Sequence, residues 1–361
     1  MSVFDHFRDK DLVRGLVDEI HRCSTQPLSL MEVCGGHTMA IQRFGLPILL
    51  PSNLELKSGP GCPVCVSGCE YIDHAVAISR LPGHIVATFG DLIRVPGSSS
   101  TLEKEKERGA DVRIVYSPLD ALYLARENPE KKVVFLGIGF ETTAPGTAAA
   151  LFKAKQLKIN NFYLLSGHKT MPPAMAALID EGVHIDGYIC PGHVSTITGS
   201  GIYSDLPSKY GLGCVISGFE PVDILSSILM LVRQIEGERP AVEIQYSRAV
   251  RPEGNPKALA IMDKVYEPRD DLWRGLGVIS GSGLKIRQEY SAHDAEKLEV
   301  EVEPTREDPG CICGEVLKGV KRPDQCRLFA KTCDPANPIG ACMVSAEGAC
   351  HAYYRYKRHD R

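Results

Sequence analysis

Thirteen cysteines in 361 residues carry the most obvious chemistry of this chain, and they cluster. Near the carboxyl end they read Cys311-x14-Cys326-x6-Cys333-x16-Cys350, with Cys313 and Cys342 interspersed. Four thiolates brought together by Pro- and Gly-rich loops can hold an iron–sulfur cluster. The same number in a tetrahedron can hold zinc. Zinc sites usually arrive as close C-x2-C pairs, which this stretch lacks, so the spacing favours a cluster. Spacing alone does not separate Cys311 from Cys313 as the first ligand. A second constellation, Cys62-Pro63-Val64-Cys65, sits inside SGPGCPVCVSGC. Two thiols so spaced can close a disulfide across a tight turn, and neighbouring N–H groups can lower one thiol's pKa. It reads as a redox-active dithiol, the other readings being metal ligation with Cys69 and a purely structural turn. The third is Cys34-Gly35-Gly36-His37-Thr38, directly after a strand-like run. Two glycines leave the backbone bare there. His37 is expected to lower the pKa of Cys34, making it a thiolate nucleophile or a soft metal ligand. A Cys–His pair for acyl transfer is the hydrolase-like alternative, but a cysteine hydrolase has no need of a dithiol and a four-thiolate site as well.

Weaker signals surround these. Gly139-Phe140-Glu141-Thr142-Thr143-Ala144-Pro145 joins a strand to a helix, where its hydroxyls can cap the helix or hold an anion. Pro191-Gly192-His193 and Ser166-Gly167-His168 place histidines on strand-end loops, each a candidate ligand or proton donor. Cys23, Cys190 and Cys214 are scattered and read as small buried hydrophobes. GLGVISGSG at 275–283 lacks the G-x-G-x-x-G order of a dinucleotide loop, and the longer GLGVISGSGLKIR at 275–287 reads instead as a Gly-kinked strand pair.

The elements that must position these residues alternate. Helical spacing in the first 25 residues is followed by short apolar runs at 28–33, 85–89, 113–116, 132–137, 161–165, 187–190, 213–217 and 242–246. Between them lie helical segments at 102–108, 118–127, 143–157, 171–180 and 221–236, with another at 256–266. Ser100 with Glu103 is a possible capping box, and Gly109 a suitable stop. Such alternation predicts an α/β fold with mainly parallel sheets, whose chemistry sits on loops after the strand carboxyl ends. Gly36-His37 recurs as Gly167-His168, and Pro60-Gly61-Cys62 as Pro191-Gly192-His193, both at an offset of 131. The expected layout is an N-terminal helix at 1–27, two similar α/β domains at 28–125 and 126–245 facing a cleft, and a Cys-rich domain at 246–361. In that layout Cys34, His37, Cys62, His168 and His193 line the cleft. From residue 299 the Pro- and Cys-rich composition looks too irregular for a conventional core. The tail 353–361 reads as a solvated, partly frayed terminus.

Composition sets outer limits. With 43% hydrophobic and 24% charged residues the chain is a folded globular type, not disordered, coiled-coil or fibrous. A net charge of −4 gives no footprint for nucleic acid. No apolar stretch is long enough to cross a bilayer, and the opening MSVFDHFRDKD lacks the apolar core of a secretory leader. A soluble, cytoplasmic protein is expected, which also suits clustered free thiols.

Taken together, CGGHT at 34–38, GPGCPVC at 59–65, GFETTAP at 139–145, PGHVSTITG at 191–199 and the four-cysteine tail resemble the HypD family of NiFe-hydrogenase maturation factors. The resemblance implies a scaffold for the Fe(CN)2(CO) group, shared with the small chaperone HypC, supplied with cyanide by HypE and serving the hydrogenase large subunit indirectly. It implies that Cys34 is the iron-binding thiolate, with His37 its neighbour, and that Cys62 and Cys65 are the redox dithiol. It selects Cys311, Cys326, Cys333 and Cys350 as ligands of a 4Fe–4S cluster, over Cys313 and Cys342. His193, Glu141 and Thr142 are secondary site candidates. An electron route from the cluster through Cys62/Cys65 to Cys34 is expected. The alternative is an iron–sulfur-dependent thiol/disulfide oxidoreductase acting on other proteins, which would have no use for a third thiol beside an imidazole.

Overall fold

In the computed structural model, which describes residues 5–356, strands and helices alternate as the pattern requires. The strands are β1 (Leu28–Glu32), β2 (Leu54–Ser58), β3 (His84–Thr88), β4 (Val112–Ile114), β5 (Lys132–Gly139), β6 (Phe162–His168), β7 (Gly187–Pro191), β8 (Gly213–Ser217), β9 (Val242–Ile244), β10 (Tyr266–Trp273) and β11 (Gly277–Ile286). One all-parallel sheet has the order β2-β1-β7-β8-β9, and a second has the order β4-β3-β5-β6. β10 and β11 form an antiparallel hairpin. Every residue of β1, β7 and β8 is buried, the near-continuous apolar reading of parallel strands covered on both faces. Among the described residues no helix is long and apolar enough to cross a membrane.

The α/β class, the two parallel sheets and the cysteine-rich carboxyl-terminal region match expectation. The distribution of strands does not follow a division at 125/126. The chain leaves the first sheet after β2, builds the whole second sheet from β3 to β6, and returns at β7 to pair with β1, Leu30 opposite Gly187. Without β7, strand β1 would keep an open apolar edge in the middle of its sheet. The 131-residue repeat does not mark equivalent positions either. Gly36-His37 lies inside the helix Gly35–Arg43, whereas Gly167-His168 ends β6.

Most other elements fall where periodicity puts them. Lys10–Cys23 is helical, with the Asp9 carboxylate accepting from the N–H groups of Asp11 and Leu12. The helices Pro118–Glu127, Met171–Asp180 and Pro221–Glu236 each begin with proline at or next to the first position. Several elements escaped the pattern, among them the helices Gly35–Arg43 and Asp205–Tyr210 and strand β10. β2 reads LELKS, an edge strand with an exposed Glu55 and only every second residue apolar. The helix Cys69–Ser79 was hidden by the cysteine motif before it. The stretch 275–287 is not a strand pair by itself: Gly277–Ile286 is the single strand β11, and its partner is β10. The carboxyl-terminal region also has more ordinary packing than its composition suggests, since Cys313, Leu317, Ala341 and Cys342 join Cys62, Cys65 and Trp273 in one apolar core. The helix Ala349–Tyr356 buries Tyr353, so the tail is packed up to that turn, and 357–361 lie outside the described residues.

The capping box expected at Ser100 is replaced by a different arrangement. Thr101 caps Leu102–Glu107, its hydroxyl accepting from the Lys104 N–H, and Ser100 donates instead to Glu105 at 2.5 Å. Glu105 also receives two hydrogen bonds from Arg80, at 2.9 and 3.0 Å, and one from Arg108 at 2.8 Å. The Arg80 hydrogen bonds hold its carboxyl down at about 2 against the opposing effect of burial, with Ser100 and Arg108 assisting. A carboxylate depressed in the folded state stabilises it above the unfolded pKa and loses that contribution as pH falls through the folded one. Glu105→Gln is therefore expected to be less stable than the parent at pH 6, with the gap closing between about pH 4.5 and 2. Urea unfolding midpoints across that range check it, and a gap independent of pH would refute it.

Candidate functional site

The carboxyl ends of both parallel sheets open on one cleft of about 910 Å³. From the first sheet come Cys34 after β1, Gly61 and Pro63 after β2, and His193 after β7. The second contributes Asp91, Tyr116, Phe140 and Thr142, and the carboxyl-terminal region adds Glu347. Loops after strand carboxyl ends are where α/β sheets place ligands.

Cys34 is half-buried at the start of the helix Gly35–Arg43. Its N–H donates to Glu32 Oε2 at 3.0 Å, and Thr38 donates to the other Glu32 oxygen at 2.5 Å. The bare backbone has a steric reason. A Cβ on Gly61 would stand 2.2 Å from the Cys34 nitrogen, one on Gly35 would stand 2.5 Å from Glu347 Cβ, and one on Gly36 would touch the Phe219 ring at 3.0 Å. The Gly35 N–H donates to the Gly61 carbonyl at 2.9 Å, so the two motif loops are locked together. Burial pushes the Cys34 thiol up to about 12, and the neighbouring Glu347 and Glu32 add to that, while the N–H groups of His37 and Gly36 pull the other way.

His37 does not activate this thiol in the way expected. Its imidazole is fully buried, and Nε2 donates to the Gly218 carbonyl at 2.9 Å. Burial holds it down at about 4, and Nδ1 has no hydrogen-bond partner, as suits a neutral ring with its lone pair there. The ring stacks on Phe219 at 4.6 Å, and His193 stacks on Phe219 at 4.0 Å. Phe219 thus lies between a buried imidazole and one exposed in the cleft. Asp223 anchors the loop that carries it, binding Gln245 and Arg248, while Gln245 accepts from the Gly218 N–H.

Cys62 and Cys65 are joined as a disulfide, both buried, at the two ends of one helical turn with Cα atoms 5.2 Å apart. The Cys65 N–H points at Cys62 Sγ, 3.2 Å away. Of the weaker candidates, Thr142 and His193 line the cleft. Glu141 is buried and turned away: it accepts from the Met171 N–H at 3.0 Å, and burial lifts its carboxyl to about 7. Thr143 hydrogen-bonds back to the Phe140 carbonyl, so its hydroxyl does not cap the helix as expected of this turn. His168 lies outside the cleft, buried between Thr147 and Ser166. Cys69 is also buried, beside Pro96, Ser98 and Arg306. Sequence reasoning missed Glu32, Phe219 and Glu347. Glu32 ends an apolar strand two residues before Cys34, a signal available in hindsight, whereas nothing local marks the other two.

Cys311, Cys326, Cys333 and Cys350 line a single apolar cavity together with Cys313 and Cys342. The last two are buried with their sulfur atoms 2.7 Å apart. The Ile339 N–H points at Cys333 Sγ at 3.4 Å. Among the described residues no three His, Cys, Asp or Glu side chains are gathered tightly enough for one ion. Six cysteines lining one cavity can supply the four thiolates that an iron–sulfur cluster needs. The donor set fits such a cluster.

Residues 11–357 match the family described as HypD, "Hydrogenase formation hypA family". The chain belongs to the HypD family. It is 47% identical to the hydrogenase maturation factor HypD of Rhodobacter capsulatus, covering 99% of this chain and 98% of that one. Against its counterpart from Escherichia coli K12 the identity is 45%, over 100% and 99% of the two chains. The Azotobacter vinelandii HypD is 45% identical, over 99% and 97%. The match spans both sheets and the cysteine-rich region alike.

The Gly61–Cys34 contact makes a direct prediction. Gly61→Ala must push the two loops apart, and overpacking against backbone costs about 1–3 kcal/mol. Denaturant unfolding under non-reducing conditions should show that loss, whereas unchanged stability would mean that the loops can separate freely.

Proposed function

We propose that this HypD-family chain is a hydrogenase maturation factor that acts as the scaffold on which the Fe(CN)2(CO) group is assembled. Iron is cargo, held on the Cys34 thiolate and shared with a HypC-like chaperone, while a HypE-like protein donates cyanide. The observation that carries this reading is Cys34, half-buried at the mouth of a cleft where both sheets and the carboxyl-terminal region meet. A thiolate is a soft ligand that suits low-spin iron bearing strong-field diatomic groups. At rest the thiol keeps its proton, chiefly because burial disfavours the thiolate. Binding a cation reverses that balance, and the proton leaves Cys34. Phe219, stacked on both histidines, walls one side of the Cys34 helix.

The Cys62–Cys65 disulfide supports a redox role beside that site. Its reduction takes two electrons and two protons, breaking the S–S bond to give two thiols. Cys311, Cys326, Cys333 and Cys350 would hold a 4Fe–4S cluster, which when bound supplies single electrons. Burial of both dithiol sulfurs speaks against the thiol oxidoreductase alternative, since an external protein disulfide would have to reach residues that are 3% and 0% exposed.

Two measurements test the reading. Copurified with its small partner, the protein should show cyanide and carbonyl infrared stretches that vanish in Cys34→Ala, and stretches that persist would overturn the assignment of Cys34. Purified anaerobically, it should be brown and carry about four iron and four sulfide per chain. The Cys62→Ala/Cys65→Ala variant should keep that iron but lose most of the infrared-active product. Full assembly in that variant would remove the dithiol from the function.

A further inference from the structure

The tip of the β10–β11 hairpin carries Arg274 into the interior between two cysteine sites. Its N–H donates to the Val66 carbonyl at 2.8 Å and its Nε to the Ser67 carbonyl at 3.2 Å, the residues that directly follow Cys65. Next to it Gly275, at φ +80°, lies so close to Gly314 that a Cβ would stand 2.2 Å from the Gly314 Cα. That packs the tip against the helix Cys313–Leu317. The helix Ala341–Val344, which bears Cys342, packs in turn on the turn of helix Pro63–Val66. One arginine therefore spans the dithiol segment and the carboxyl-terminal sulfur cavity.

Its charge is only partly answered. Arg274 is 8% exposed, Nη1 binds Glu307, and Nη2 is buried without any hydrogen-bond partner. The Glu307 side chain is itself 49% exposed, so water screens that pairing. Burial works against the guanidinium, and the groups that favour its charge are the Cys313 thiol first, then Glu307, Cys342 and Cys69. A polar cavity of about 380 Å³ runs from Cys69 past Arg274 to Cys311 and Cys313. A buried guanidinium with a free donor costs folding energy unless negative charge forms beside it. The cysteines that line the neighbouring cavities, Cys69, Cys311 and Cys313, are the groups beside it that can carry such charge.

We propose that Arg274 is a positioning residue that supplies the fixed positive charge for the carboxyl-terminal sulfur cavity and so raises the potential at which a cluster held there accepts an electron. This rests on the iron–sulfur reading given above. One-electron reduction adds a unit of negative charge to the thiolate-bound group without breaking a bond, and a cation in a poorly screened interior favours that state. The same residue is hydrogen-bonded to the segment following Cys65, so any change in charge at the cavity is felt at the backbone that holds the dithiol.

The test is a mediated dithionite titration of the full-length, anaerobically purified protein, followed by absorbance and electron paramagnetic resonance. Arg274→Gln removes the charge but keeps an amide donor for Ser67. It should leave iron content unchanged and disfavour reduction at least tenfold, a fall of about 59 mV for one electron. Arg274→Lys should stay near the parent potential. Glu307→Gln, which strips the partial counter-ion, should move the potential upward, and it decides the matter should Arg274→Gln lose its iron. Parental potentials in iron-loaded Arg274→Gln, or equal shifts in the Gln and Lys variants, would overturn the role of Arg274. An unmoved potential in Glu307→Gln would do so where that variant decides. An iron-free parent protein would instead overturn the cluster reading itself, and with it this one.

Discussion

Two backbone segments leaving neighbouring parallel strands touch without side chains between them, and the functional end of the molecule is organised around that contact. Gly61, three residues past the end of β2, presses on the Cys34 nitrogen, and its carbonyl takes the Gly35 N–H. Any side chain at Gly61 would separate the CGGH helix from the loop that carries the dithiol. The contact brings Cys34 and the Cys62–Cys65 turn together at the wall of the cleft. Glu32, buried and lifted to about 8 chiefly by burial, ties the same point down from below through the Cys34 N–H and the Thr38 hydroxyl.

Around this contact the carboxyl-terminal region behaves as a third wall. Glu347 reaches the cleft only because Gly35 makes room for it, and Cys342 sits on a helix packed against the dithiol turn. The β10–β11 hairpin closes the remaining gap, with Trp273 fully buried and stacked 5.9 Å from Phe140 at the end of the second sheet. Pro63 and Val64 of the dithiol turn line the cleft, and Cys342 of the sulfur cavity sits on the helix packed against that same turn.

Helix and strand periodicity made the α/β class and most elements legible, because the strands of a parallel sheet are apolar throughout and the helices between them carry recognisable caps. Edge strand β2 was not legible: only Leu54 is buried, Glu55 is exposed, and pairing with β1 is what makes it a strand. Nor was the sheet membership. Strand order depends on which apolar faces find each other after β6, and local sequence has no record of that return. Glu141 shows the same limit at a single residue. Its motif placed it on a strand-to-helix turn, yet the carboxylate turns inward to the start of the helix Met171–Asp180.

The cysteine, glycine and histidine spacings by themselves determined the kind of chemistry, because thiolate, bare backbone and imidazole are properties of residue types and survive any folding. Which of those groups share a space was decided only in three dimensions. His37 lies three residues from Cys34 in the chain, but stacking on Phe219 and the Gly218 carbonyl, 181 residues away, fix its ring instead. Arg274 carries no motif at all; its importance comes from a hairpin that lodges a charge among sulfurs. Such long-range pairings are set by packing and desolvation, which no local stretch of sequence encodes.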